Sequence, residues 1–179
     1  MNRMISCWIV LGLVAGAPGV ATAQEKKAEM KTSAVAETPE WQAIKSLVGH
    51  WEAVFEVEGK KATSTVEMRL TGGGSAVMHV MDRDTPHEMV TMFHPDGERL
   101  LATHYCAAHN QPRMALVKAA KAGQIAFEFV DGTNIRPGDG HMQRLVLTIT
   151  DADRHDATWT YVEGGKETPP MTFSYTRKK

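Results

Sequence analysis

The hydrophobic and polar positions divide the chain into one short helical segment and a long series of alternating segments. Thr38 is a good N-cap residue, Pro39 suits the first helical position, and Gly49 is placed where a helix commonly terminates. We therefore expect a helix near 39–48. Its apolar residues recur at the spacing of one helix face: Trp41, Ile44, Leu47 and Val48.

From residue 50 onward, apolar and polar residues alternate with a period of two, which is typical of β-strands. The intervening segments are rich in Gly, Pro, Asp and Asn, as turns require. We predict an all-β fold, in which about ten antiparallel strands form a single up-and-down barrel without exposed edges and the helix plugs one end. The predicted strands are 50–57, 63–70, 76–82, 87–94, 98–106, 112–119, 124–130, 143–150, 156–162 and 171–177.

The N-terminal segment has the features of a secretory signal peptide. A positive start at residues 1–3 precedes the apolar stretch 4–16, which is shorter than the roughly 20 residues of a membrane-spanning helix. The sequence Ala21-Thr22-Ala23 then offers a signal-peptidase site before Gln24. We expect residues 1–23 to be removed and the protein to be periplasmic or secreted, without a membrane span.

The remaining chain is predicted to contain a flexible segment, 24–37, followed by one barrel domain, 38–179. Because 20 lysines and arginines face 21 acidic residues, no net positive charge favours nucleic acid as a partner. Cys106 is the one cysteine outside the signal segment, so no disulfide within the mature chain is expected. The hydrophobic core must therefore supply the stability.

The first predicted strand carries a Gly-x-Trp sequence, formed by Gly49 and Trp51 in "LVGHWEAVFEV". Together with a preceding helix and a run of antiparallel strands, it resembles the calycin superfamily of lipocalin-like and fatty-acid-binding-protein-like barrels. The segments "THYCAAHNQPRM" and "GHM" are similar to those of uncharacterised exported bacterial members. The resemblance implies that Trp51 packs at the closed end and that the cavity holds a small hydrophobic or amphipathic molecule.

The hairpin around "FHPDGER" determines which side chains of its two strands face the interior of this barrel. A three-residue Pro-Asp-Gly loop places Glu88 opposite His104 and makes both face the interior. A two-residue Asp-Gly turn would instead shift the register by one and separate Glu88 from His104. The three-residue loop places further residues on the same inner face: Val90, Met92, Leu100, Ala102 and Cys106.

Polar residues cluster after this hairpin and in the long connection 131–142, and loops at a barrel mouth commonly carry binding groups. The alternative is that these residues serve turns and solvated strand faces. Trp159 and Tyr161 are expected on one inner wall, with methionines either lining the cavity or filling the core. The predicted ligand-binding residues are Glu88, His104, Tyr105, Asn110, Gln111, Arg113, Asn134 and His141.

The catalytic motifs sought in the sequence do not assign an enzymatic activity. "HEMVT" lacks the second histidine of a zinc-protease helix, and neither a Gly-x-Ser-x-Gly elbow nor a phosphate-binding loop occurs. An enzyme remains the alternative to a binding protein, with His104 as acid or base and Glu88 orienting it. Tyr105 or Arg113 would then stabilise developing charge. The third functional class is an envelope interaction protein, in which the barrel would be filled and hold no guest.

No His-x-His pair occurs, so no metal site is predicted from the eight histidines, and no cofactor is assigned. The haem-binding nitrobindin branch of the calycins uses a single histidine, a place that His104 or His141 would take here. However, "GHWEA" departs from the Gly-x-Trp-x-Gly-x-Gly opening of that branch. Haem therefore stands as the alternative to a binding site without a cofactor.

Overall fold

The computed structural model describes residues 37–57, 59–119 and 121–179, with the side chain of Val57 excepted. The predicted signal peptide, 1–23, lies outside the described residues, as does the predicted flexible segment except for Glu37. In the described part of the chain, no helix has the length and apolar character needed to cross a membrane.

Within the described residues, one helix precedes eleven strands, and a 3-10 turn at Gly72–Gly74 joins the second strand to the third. All ten predicted strands are present, and a further short strand occurs in the "EGGKETPP" connection. The elements are α1 (Pro39–Ser46), β1 (Gly49–Val57), β2 (Lys60–Thr71), β3 (Ala76–Met81), β4 (Met89–Asp96), β5 (Arg99–Tyr105), β6 (Gln111–Val117), β7 (Gln124–Thr133), β8 (His141–Asp151), β9 (Arg154–Glu163), β10 (Lys166–Glu167) and β11 (Met171–Lys178).

Ten of the strands form a closed antiparallel barrel, which confirms the predicted fold class. The sheet order is β9-β11-β1-β2-β3-β4-β5-β6-β7-β8, and pairing of β8 with β9 closes it. The two-residue strand β10 pairs with β9 outside this ring. Closure leaves each of the ten strands with two neighbours and therefore satisfies the backbone hydrogen-bonding groups at the sheet edges.

Helix α1 begins where the sequence predicts and ends earlier. The Thr38 hydroxyl accepts a hydrogen bond from the Trp41 backbone N–H at 3.1 Å, as an N-cap does. Trp41 and Ile44 are buried in the same core cluster as the barrel interior, so the helix buries its apolar face against the barrel. Leu47 is the C-cap residue. The expectation that Gly49 terminates the helix is wrong, because Gly49 is the first residue of β1.

Gly49 is instead required by the packing around Trp51. The Trp51 indole N–H donates to the Leu47 carbonyl at 2.8 Å, and the Arg177 guanidinium lies 4.0 Å from the centre of the indole ring. Arg177 also donates to the Val48 carbonyl at 2.7 Å. A Cβ atom on Gly49, whose φ is +143°, would overlap the same guanidinium. Glycine at this position therefore leaves room for Arg177, through which the last strand, β11, contacts the segment between α1 and β1.

The β4–β5 hairpin differs from its predicted register. Asp96 pairs with Arg99, so the loop has two residues, and Thr91 rather than Glu88 lies opposite His104. Gly97 has the positive φ (+62°) that suits the first position of such a loop. The displacement along β4 is three residues (91 − 88 = 3). Because an odd displacement exchanges the two faces of a strand, the predicted inner face of β4 is wrong.

On β4, the buried residues are Thr91 and Phe93, whereas the predicted Val90 and Met92 are only half-buried and Glu88, which precedes the strand, is exposed. On β5, the predicted inner face is correct. Its buried residues include Leu100, Ala102 and His104.

Candidate ligand-binding site

A row of polar side chains crosses three neighbouring strands inside the barrel. His79 on β3 pairs with Thr91 on β4, and Thr91 pairs with His104 on β5. Directly paired residues of antiparallel strands point to the same side of the sheet. Their exposed fractions are 4%, 1% and 1%, respectively, so the row lies in the interior.

His104 combines one satisfied and one unsatisfied ring nitrogen. Its Nδ1 lies 2.9 Å from the Thr91 hydroxyl oxygen, which fixes the orientation of the ring. Its Nε2 is buried and has no hydrogen-bond partner among the described residues. Burial, and next the nearby His79, lower the pKa of His104 from 6.5 to about 4. The side chain is therefore a neutral imidazole at pH 7.

His79 and His155 are buried in the same way. Burial, and next the nearby His155, lower the pKa of His79 to about 4, and its ring meets Phe93 edge to face. Burial, and next Arg177, lower the pKa of His155 to about 4. The His155 ring lies edge-on to Trp51, with the two ring centres 4.3 Å apart. Among the described residues, no group of three potential ligands is arranged to hold a metal ion.

His79 and His155 were not predicted as interior residues. His79 is in register with the buried Val77 and Met81 of β3. The other face of β3 is apolar too, and its Val80 is also buried, so the alternation alone did not indicate which way His79 points.

A cavity of about 240 Å³ adjoins His104. It contains four methionines and three aromatic side chains besides His104, and none of the described lining residues is charged. The predicted inner positions of Trp159 and Tyr161 are confirmed. The lining residues are Met81, Met89, His104, Met142, Trp159, Tyr161, Thr168, Pro169, Met171 and Phe173.

The strand register places this cavity at the barrel end opposite α1. Gly49, just after the helix, pairs with Met68 near the end of β2, which locates the helix end of the barrel. The cavity residues Met81 and Met89 pair with each other where β3 ends and β4 begins, at the other end. His104 lies one inward-facing position further from that end, opposite Thr91. The cavity therefore has methionines towards its mouth and the imidazole deeper inside.

Two aromatic rings with unpartnered nitrogens meet at this inner part. The rings of His104 and Trp159 have their centres 5.0 Å apart. The indole N–H of Trp159 is buried and, like His104 Nε2, has no partner among the described residues. Unpaired buried polar atoms are costly in free energy, so a bound molecule that paired with them would gain from the contact.

The other predicted ligand-binding residues are not among the described lining residues. Glu88 is exposed, and its carboxylate accepts a hydrogen bond from the Asp84 backbone N–H at 2.8 Å. Tyr105 is 49% exposed. The predicted acid-base pair of Glu88 with His104 is therefore not assembled, because the hairpin register places the carboxylate outside the barrel.

Two of the predicted amides stabilise loops. Asn110 is buried, and its side chain donates to the Gly140 carbonyl at 2.7 Å, which joins the β5–β6 loop to the segment before β8. Asn134 donates to the His109 carbonyl at 3.5 Å. Both residues therefore have the turn role that the sequence offered as the alternative.

The remaining predicted residues lie on or near strands β6–β8. Gln111 pairs with Thr133 in the β6–β7 ladder. The exposed Arg113 forms an ion pair with Asp131. The imidazole of His141 packs against Phe129, with the ring centres 4.3 Å apart. Of the predicted set, His104 alone lines the cavity at the barrel mouth.

Comparison with known proteins identifies a fold. No protein-family model matches the sequence, and no curated protein sequence matches it significantly. Among solved structures, the chain is similar to the crystal structure of Rv2717c from M. tuberculosis, with a TM-score of 0.55 and 13% sequence identity. The alignment covers 79% of this chain and 99% of that one. At this level of identity, the similarity establishes that the two chains share a barrel fold.

Proposed function

We propose that this protein binds a small hydrophobic or amphipathic molecule in the cavity beside His104. The observation that carries the proposal is the cavity itself, which lies at the barrel end opposite the helix and whose described lining residues are uncharged and rich in methionine and aromatic side chains. Methionine side chains adapt to different apolar shapes, and burial of apolar surface supplies roughly 25 cal/mol for each Å² removed from water.

The volume of the cavity suits a small guest. An engineered apolar cavity of about 150 Å³ is sufficient for benzene, and the cavity here has about 240 Å³. Pockets for drug-sized molecules begin at roughly 300 Å³. A guest with one or two fused rings, or with a short alkyl chain, therefore matches the available space.

We further propose that the protein acts outside the cytoplasm and belongs to the calycin barrels. The signal-peptide pattern of residues 1–23 supports export. The arrangement of Gly49, Trp51 and Arg177 beside the helix supports the superfamily assignment, because it gives the Gly-x-Trp sequence a structural role at the helix end of the barrel.

Haem is not part of the proposal. His104 has the orientation of a ligating histidine, since Thr91 holds one ring nitrogen and leaves the other free. The cavity, however, is smaller than the roughly 300–1,000 Å³ that drug-sized molecules occupy, and a porphyrin is larger than most such molecules. The volume of the cavity beside His104 therefore favours a smaller guest than haem.

Native and denaturing mass spectrometry of the gently purified full chain, expressed with its own N-terminal segment, tests whether a guest is bound. Extra mass that disappears on denaturation supports the proposal, and an absorbance spectrum would reveal a haem guest by its Soret band. Binding of added naphthalene, followed by its fluorescence, tests the cavity directly.

Two matched substitutions on one strand locate the binding site. Met89→Trp fills part of the cavity and is expected to weaken naphthalene binding about tenfold or more, a loss of about 1.4 kcal/mol. Met92→Trp lies on the opposite face of β4 and is expected to leave binding unchanged. Thermal unfolding of both variants checks that they fold. No naphthalene binding by the parent protein, or equal losses in both variants, would refute the proposal.

A further inference from the structure

We infer that the natural guest is an uncharged amphiphile whose polar end is a hydroxyl group and which enters the cavity hydroxyl first, to bond with His104. This inference rests on the proposed function and names the chemical class of the ligand. It depends on where the polar atoms of the cavity lie, on their hydrogen-bonding character and on the absence of charge among the described lining residues.

The unpartnered nitrogens belong to His104 and Trp159, two lining residues of the cavity, and both nitrogens are buried. His104 is 1% exposed, and it is placed deeper than Met81 and Met89. Met171, which also lines the cavity, is 58% exposed and so belongs to its mouth. An amphiphile that satisfied the inner nitrogens would therefore insert its polar end and leave its apolar part among the methionines.

A hydroxyl group meets the hydrogen-bonding requirements of His104 in both of its neutral forms. If the Thr91 hydroxyl donates to Nδ1, the proton of the imidazole is on Nε2, which then donates to the guest. If Nδ1 donates to Thr91, Nε2 must accept from the guest. A hydroxyl can accept or donate, and its oxygen can also accept from the Trp159 indole N–H. A carbonyl oxygen can only accept.

Charge excludes the common ionic amphiphiles from this orientation. A carboxylate at the inner end would lose its hydration without meeting a cation, because the described lining residues carry no charge and His104 is neutral. An ammonium group would meet no carboxylate there. Isolated buried charges are strongly unfavourable, so both ions are expected to bind more weakly than a neutral analogue.

The volume limits the length of the guest. At roughly 30 Å³ for each group of the size of a water molecule, the cavity of about 240 Å³ holds about eight such groups. 1-Octanol, with nine non-hydrogen atoms, would fill it and reach the exposed Met171 at the mouth, and octanoate and octylammonium are ions of the same chain length.

The experiment compares these three compounds with the full chain at pH 7 by displacement of naphthalene. We expect 1-octanol to bind about tenfold or more tightly than either ion. His104→Phe removes the polar contact and is expected to weaken 1-octanol binding about threefold to tenfold relative to naphthalene binding, the range of one neutral hydrogen bond. His104→Gln retains a polar group at this position and is expected to restore part of the preference. His141→Phe, outside the cavity, is the matched control.

The outcomes separate this inference from the proposed function. Octanoate or octylammonium binding as tightly as 1-octanol would overturn the inference while naphthalene binding still supported the cavity. A preference for 1-octanol that His104→Phe leaves unchanged would also overturn it. If neither naphthalene nor 1-octanol binds, the proposed function itself fails. Thermal unfolding of His104→Phe shows whether this variant is folded. If it is not, the 1-octanol preference of His104→Gln tests the role of His104 instead.

Discussion

Acidification from pH 7 to pH 5 is expected to destabilise the protein through its buried histidines. In the unfolded chain, His79 and His104 regain the ordinary histidine pKa of 6.5, whereas burial lowers both values to about 4 in the folded protein. The unfolded state therefore binds more protons throughout the range between these values, so stability falls as the pH decreases through it. Below about pH 4, the histidines contribute no further loss, because both states are then protonated.

The magnitude follows from the two pKa values. Lowering the pH from 7 to 5 favours the unfolded state by about 2 kcal/mol for each of the two histidines, or about 4 kcal/mol together. His155, whose pKa is also lowered to about 4, acts in the same direction. Total stabilities of small domains are roughly 5–15 kcal/mol, so the effect is a large part of the whole. The carboxylate of Asp151, whose pKa is lowered chiefly by its bond to Arg154, remains ionised at pH 5.

Urea denaturation at pH 7, 6 and 5, followed by tryptophan fluorescence, measures this loss as a change in the free energy of unfolding at constant slope. His104→Gln removes one titrating group and is expected to reduce the loss by about 2 kcal/mol. His87→Gln changes an exposed histidine and serves as the matched control, with no expected effect. A loss below about 1 kcal/mol in the parent protein would refute the reasoning, since two buried neutral imidazoles require more.

Two further predictions concern positions where the structure gives a new role to a residue. Gly49→Ala is expected to destabilise by about 3 kcal/mol for two reasons: alanine is strained at a φ of +143°, and its Cβ would displace the Arg177 guanidinium from Trp51 and the Val48 carbonyl. Gly123→Ala, with a positive φ and no close contact, should lose only about 1 kcal/mol in the same urea titration. Similar losses in the two variants would contradict the added cost of displacing the Arg177 guanidinium. Glu88→Gln is expected to change stability by less than about 0.5 kcal/mol and to leave naphthalene and 1-octanol binding unchanged, because the carboxylate is exposed and outside the cavity. A calorimetric titration that detected weaker binding by this variant would contradict the observed register.

Local patterns were sufficient to predict most of the secondary structure. The period-two alternation and the turn residues predict ten barrel strands, and the helix signals at Thr38 and Pro39 predict α1. These features depend on residues near one another in sequence. There are two exceptions. Strand β10 contains only two residues, too few for a periodic pattern, and α1 ends at Ser46 with Leu47 as C-cap, before the predicted residue 48.

The inner face of β4 could not be determined from its pattern. Met89, Thr91 and Phe93 alternate with Val90 and Met92, so both faces carry large apolar residues and the alternation does not indicate which is buried. The loop decided the question, since a single change in its length moves every side chain to the other face. The sequence offered a three-residue Pro-Asp-Gly loop or a two-residue Asp-Gly turn, whereas the assembled sheet forms a third loop, Gly97-Glu98, between the paired Asp96 and Arg99.

The candidate site required the tertiary structure for the same reason. The sequence by itself determined that His104 lies on an inner face near a strand end, and it indicated Trp159 and Tyr161 as part of the inner wall. Only the closed barrel placed His79, Thr91 and His104 in one row and brought β9 across from β5, so that the imidazole meets the indole. Contacts of this kind join residues far apart in the chain, and they depend on the register of every intervening strand.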